Sequence, residues 1–138
     1  MPDHARDEDV VGSTTSTPIV AHLRAAGVSV LIASSEGRLP SIVHWGHDLG
    51  DLDESELAEL VASSTGLLDN TLDVPLEVSL LPEGSAGWMG IPALLGHRDG
   101  SAWSPRFQTQ AVEVDHAERR VRVSANDLES GLDVTIEV

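Results

Sequence analysis

Arg119-Arg120-Val121-Arg122-Val123-Ser124-Ala125 and Leu132-Asp133-Val134-Thr135-Ile136-Glu137-Val138 are the stretches whose reading decides the fold class. In both, apolar and polar residues alternate with a period of two, which sends successive side chains to opposite faces of an extended strand. Val121 and Val123 fall on one face, with Arg120, Arg122 and Ser124 on the other. Asn126 to Gly131 is the loop between the two strands. Upstream, Phe107 to Val114 alternates around Gln108, Gln110 and Glu113, and Asp115-His116-Ala117-Glu118 turns that strand into the next. The spacing predicts three consecutive antiparallel strands.

Working towards the N-terminus, Pro82 to Pro105 holds seven Gly or Pro residues after its opening Pro, together with Trp88, His97, Arg98, Asp99 and Trp103. It reads as one long loop, and long loops inside compact domains often carry function. Leu76-Glu77-Val78-Ser79-Leu80 alternates as a half-exposed strand, and Leu67 to Pro75 is extended or looped. Asp53 to Ser63 is the one helix: Asp53 or Ser55 caps it, Glu54 and Glu56 suit its positive end, and Leu57, Leu60 and Val61 form one apolar stripe before Gly66 stops it. Val28 to Ile32 is β-branched and nearly all apolar. With the turn at Glu36-Gly37 and Ser41 to Trp45, it makes a hairpin over 28–45. Ile19, Val20 and Leu23 form a weaker apolar group ahead of it. Residues 1–18 read as a flexible leader, and 19–138 as one mostly-β, antiparallel, sandwich-type domain with one short helix. The last strand runs to Val138 with no turn behind it. An apolar-faced strand left as a bare edge invites pairing, so the expectation is a partial domain, one part of a longer chain.

The 138 residues are 41% hydrophobic, enough for one domain with a real core. Three Trp, one Phe and no Tyr leave Val, Leu, Ile and Ala to build it. Eight Arg and no Lys stand against 23 acidic residues, for a net charge of -15. Such a field repels phosphate backbones and anionic lipid, which excludes nucleic acid and membrane surface as partners. The absence of cysteine excludes disulfides and thiolate metal sites. Met1 to Gly12 has no apolar core of a secretory signal, so the reading is cytoplasmic.

Few residues carry a chemical signature. His44, His47 and Asp48 have metal-ligating types, but their spacing converges only on a helix and Gly46 argues against one. The preferred reading is a turn in which Asp48 accepts backbone hydrogen bonds. His97-Arg98-Asp99-Gly100 is either a binding cluster or an Arg–Asp pair ordering a turn. Ser85 lacks the first Gly of a nucleophile elbow, Glu83 standing in its place. No carboxylate pair stands out for glycoside hydrolysis, which needs two acids across the scissile bond. The reading therefore assigns no catalytic residue, no metal and no cofactor. Indole faces stack on the apolar faces of sugars, and pockets add polar groups for the hydroxyls. Trp45 reads as a core anchor, and Trp88, flanked by Gly87, Met89 and Gly90, as an exposed or interface residue.

Val43-His44-Trp45-Gly46-His47-Asp48-Leu49-Gly50 resembles the HWGxDLG segment of family 36 α-galactosidases, the actinobacterial ones above all. The resemblance continues through Val74-Pro75-Leu76, Leu80-Leu81-Pro82-Glu83, Gly87 to Leu94, Gly96 to Gly100 and Trp103-Ser104-Pro105, and covers much of 27–138. It implies a partial N-terminal β-supersandwich, whose parent adds a (β/α)8 catalytic barrel and a C-terminal β domain. Both catalytic Asp residues belong to that barrel, so none is expected here. The parent activity it implies is retaining hydrolysis of terminal α-D-galactosides, and the expected partners are the missing barrel, further copies in a homo-oligomer and, in the parent, the α-galactoside itself. Trp88, Arg98 and Asp99 are the residues it marks for sugar contact. Many relatives carry an acidic residue and an Arg in a GxGDFRxPA version of the segment; Gly87 to Ala93 lacks both here. The alternatives are a stand-alone carbohydrate-binding or interaction β-sandwich, and a remnant with no independent function.

Overall fold

The computed structural model describes residues 20–34, 37–64 and 78–138. The leader at 1–18, Glu36 of the expected turn, the helix stop at Gly66, the stretch 67–75 and the first two residues of the expected 76–80 strand lie outside them. Six strands and one α-helix follow in order: β1 (Val20–Ala25), β2 (Val28–Ala33), β3 (Ser41–His47), α1 (Glu54–Ser64), β4 (Gln108–Asp115), β5 (Arg120–Asp127) and β6 (Leu132–Glu137). They form two three-stranded antiparallel sheets, ordered β1-β2-β3 and β4-β5-β6. The mostly-β reading with one short helix is what the chain adopts.

β1 is the element the sequence reading did not resolve. Ala26 and Gly27 have φ of 50° and 79°, and Ala25 pairs with Val28 across them. Two residues at positive φ are what a tight two-residue hairpin requires, because that turn matches the right-handed twist of its strands. Glycine takes this geometry freely, and Ala26 is held in it by the pairing on either side.

In the second sheet β5 is central. Val121, Val123 and Ala125 alternate to one face and are buried. They meet Ala21, Leu23 and Ile32 of the first sheet in a single apolar core, joined by Leu39 and Phe107 from the connections. The two sheets thus pack face to face, as layers built from one-sided strands must. The outer face of the second sheet is a polar ladder: Glu113, Arg122 and Glu137 stand in cross-strand register, with Arg122 bridging to Glu137 at 2.6 Å. In the first sheet Ser29 and Leu31 alternate with the core residues Val30 and Ile32, yet both are fully buried, so that sheet is covered on both faces.

α1 begins with a reciprocal cap. The Glu56 N–H donates to Asp53 Oδ1 and the Asp53 N–H to Glu56 Oε2, each at 2.9 Å. Leu57, Leu60 and Val61 are its only partly buried residues, the stripe expected, and the helix packs against β3. Of the expected 76–80 strand, the described part makes one antiparallel bridge, Ser41 to Ser79, flanked by Ile42 N–H to Val78 O and Leu80 N–H to Pro40 O. Among the described residues no helix is long and apolar enough to cross a membrane.

Candidate functional site

The long loop from Pro82 to Pro105 is tied at its base and open at its tip. At the base, Glu83 is 7% exposed and its Oε1 accepts the Phe107 N–H at 2.6 Å. Its backbone carbonyl accepts from Ala86 and Trp88, and the Pro82 carbonyl accepts from Ala93 at 2.9 Å. Ser85 donates its hydroxyl to the Pro105 carbonyl at 2.8 Å. That occupies the side chain in closing the loop. Burial is the main influence pushing the Glu83 carboxyl up; the Phe107 N–H and Arg106 pull it down, and Asp127 adds a further push up.

Asp127, the last residue of β5, fastens the turn that follows it. It is 8% exposed and accepts from the Ser130 hydroxyl, from the Ser130 N–H at 3.2 Å and from the Glu129 N–H. These hydrogen bonds, led by that of the Ser130 hydroxyl, hold its pKa below the ordinary carboxylate value.

Trp88 sits partway along the loop and is partly buried. Its indole N–H donates to the Ile91 carbonyl at 3.2 Å, and its ring lies over Gly90 so closely that a Cβ there would stand 2.7 Å from Nε1. Further on, Arg98 and Ser101 exchange two backbone hydrogen bonds of 2.9 Å around Asp99 and Gly100, whose φ values of 51° and 80° define a tight hairpin turn. His97 stacks on Trp103 with ring centroids 4.5 Å apart, the Trp103 indole N–H donates to the Gly100 carbonyl, and the Gly100 N–H donates to His97 Nδ1. This turn is ordered by backbone and ring contacts, not by the Arg98–Asp99 pair that the sequence offered: among the described residues neither side chain has an ion-pair partner. The loop therefore does not gather the three ligand candidates into one set. Arg98 lines a cleft of about 190 Å³ with Leu94, Leu95, Gly96, His97, Ala102, Pro105, Ser130 and Leu132. Asp99 stands exposed at the turn, and no hydrogen bond or ring contact among the described residues joins Trp88 to either.

The tip of the loop presents apolar side chains to solvent. Met89 is 92% exposed and Ile91 85%, with Leu95 and Trp103 also exposed. Trp45, read as a core anchor, is 68% exposed, a correction. It lies on β3 at the edge of its sheet, where β2 flanks it on one side only.

A second polar cluster fixes the segment after β3. Asp48 receives Arg24 in a two-pronged pair, Nε to Oδ1 at 2.7 Å and Nη2 to Oδ2 at 2.8 Å, while a third Arg24 nitrogen reaches Asp51. The Ser29 hydroxyl and the Gly50 N–H also donate to Asp48 Oδ1. Arg24 above all, with these donors, holds the Asp48 carboxyl far below the usual carboxylate range. His22 joins through Ser29 at 3.1 Å; burial, then Arg24, lowers its pKa. Asp48 is thus the turn-forming acceptor expected of it. Its bidentate partner lies 24 positions back along the chain, and no local spacing announces that.

Two three-stranded antiparallel sheets that share one core and carry one long ordered loop define a layered β domain of the sandwich type. The chain belongs to the glycosyl hydrolase family 36 N-terminal domain family, whose model matches residues 38–138. It is 31% identical over 97 residues to an α-galactosidase of Escherichia coli, a match that takes in 70% of this chain and 13% of that protein. No solved structure matches the chain.

Proposed function

We propose that the chain is the non-catalytic N-terminal part of an α-galactosidase-like glycoside hydrolase whose parent reaction is retaining hydrolysis of terminal α-D-galactosides. Residues 19–138 are the partial N-terminal β-sandwich domain, preceded by a leader at 1–18. Its work is support: it seats the catalytic barrel, contributes to assembly with further copies, and brings loop 82–105 to the rim of the substrate pocket. One observation carries this reading. The loop is fixed at its base by the buried Glu83 carboxylate, yet Met89, Ile91, Leu95 and Trp103 stand out in water. Several large apolar side chains left exposed on one ordered segment suit a surface that another surface covers.

The cleft beside Arg98 supports protein contact more than sugar contact, because five of its lining residues, Leu94, Leu95, Ala102, Pro105 and Leu132, offer no side-chain group to a hydroxyl. Trp88 is the residue of the set with a flat face for a sugar; Arg98 and Asp99 serve the rim. A cysteine-free chain suits the reducing cytoplasm, the compartment proposed for it.

A chimera tests the proposal. Residues 38–138 replace the matching segment of the Escherichia coli α-galactosidase, and galactose release from a synthetic α-galactoside is followed. Activity that survives the exchange and falls when Met89 and Ile91 are both changed to Asp supports the supporting role. A folded chimera unaffected by the Asp pair contradicts it.

A further inference from the structure

The cleft beside Arg98 differs from the rest of the surface in the charge it presents. The chain has 23 acidic residues against eight Arg, yet no acid lines this cleft, and Arg98 is its one permanent cation. We propose that it is a binding site for a small apolar monocarboxylate, a carboxylate carried on a body of about six carbon atoms. The proposal goes beyond the hydrolase reading and does not depend on it.

The walls set the body of the ligand. Leu94, Leu95, Ala102, Pro105 and Leu132 supply them. Leu132 opens β6 and packs on the core, so that side of the cleft is anchored in the sheet. An apolar cavity of about 150 Å³ takes one benzene. The volume here, about 190 Å³, therefore suits a six-carbon body with a carboxylate at its end. It falls short of the roughly 300 Å³ at which pockets for larger ligands begin.

Arg98 sets the head group. Its backbone closes the turn with Ser101, which holds the residue in place without engaging its side chain. Arg24, Arg120 and Arg122 each hold an acid, whereas the Arg98 guanidinium has no hydrogen-bond or ion-pair partner among the described residues. A planar guanidinium matches a carboxylate through two parallel N–H donors. His97 lines the cleft as well. Its Nδ1 accepts the Gly100 N–H at 3.1 Å, so the neutral ring carries its proton on Nε2, a further donor on the lining. Ser130 donates its hydroxyl to Asp127, whose carboxylate is taken up by the turn it fastens. The many acids elsewhere act weakly on an entering anion, because charges more than about 8 Å apart are screened at physiological salt. Residues 84–105 hold one acid, Asp99, at the exposed turn.

Titration of the whole chain with hexanoate at neutral pH, followed by amide NMR, tests this. Hexanoate is expected to give saturable shifts at Leu95, Gly96, Arg98 and Leu132. Hexanol has the same body without the charge and is expected to bind about tenfold more weakly. Acetate has the head group without the body and is expected to give no saturable shift at the same concentrations. In Arg98→Gln, hexanoate is expected to fall to the level of hexanol. Leu95→Asp changes an exposed position and adds an acid to the wall, and is expected to abolish hexanoate binding. No saturable shift with hexanoate, equal affinity for hexanoate and hexanol, an acetate response that matches that of hexanoate, or unchanged hexanoate affinity in either variant overturns the proposal.

Discussion

Ser29 shows how much one small side chain can organise. Its single hydroxyl proton goes to Asp48, so the Leu49 N–H and the His22 ring both donate to its oxygen. His22 therefore carries its proton on Nε2. Ser29 is fully buried, and Ser29→Ala leaves the Leu49 amide and the His22 ring without their acceptor. Orphaned buried donors cost about 1–3 kcal/mol, so urea unfolding is expected to show a loss of that size. Asp48 makes stability depend on pH. Its folded pKa is depressed, so its contribution is present above the ordinary carboxylate range and is lost as pH falls through the folded value. The melting temperature of Asp48→Asn is expected to change less between pH 5 and pH 2 than that of the unmodified chain. Asp48 was legible as a turn acceptor because an Asp between a His and a Leu-Gly announces one. Ser29, one hydroxyl inside an apolar strand, announced nothing: its meaning lies in partners 20 residues away.

At the scale of elements, alternation told the truth wherever one face is buried. Arg120–Asp127 and Leu132–Glu137 were readable because their sheet has a wet face and a dry one, which stamps a period of two on the sequence. β1 was not, because Ile19, Val20 and Leu23 break that period and the hairpin turns on Ala26-Gly27 instead of an Asn-Gly or Asp-Gly pair. The loop was legible as a loop, but its ties were not, since Glu83 to Phe107 and Ser85 to Pro105 span 24 and 20 positions. Val123 is fully buried in the central strand, and Val123→Ala is expected to cost roughly 2 kcal/mol in denaturant unfolding through the cavity it leaves. In the turret formed by residues 97–103, Gly100 has φ of 80°, a region that costs an L side chain about 1–2 kcal/mol. Gly100→Ala is expected to raise hydrogen exchange at the Arg98 and Ser101 amides while leaving β5 protected. Gly90→Ala must push the Trp88 ring aside, and a shift in tryptophan emission reports it with little loss of stability.

The whole molecule joins two sheets through one core and leaves one loop unfinished. A chain of net charge -15 is held in solution by its own field, yet residues 84–105 contain only Arg98 and Asp99 as formally charged side chains and carry the most exposed large apolar groups. That contrast is why the loop, and not the outer polar ladder of the second sheet, is the contact surface proposed above. Among the described residues the buried Glu83 and Asp127 accept from backbone amides, and surface acids such as Glu56, Asp53 and Glu137 stand in a helix cap or an ion pair. The proposed role leaves the chemistry to residues outside this domain. The direct measurement is release of galactose from a synthetic α-galactoside by the purified chain alone. The account predicts release no faster than the buffer blank; sustained turnover that scales with chain concentration contradicts it.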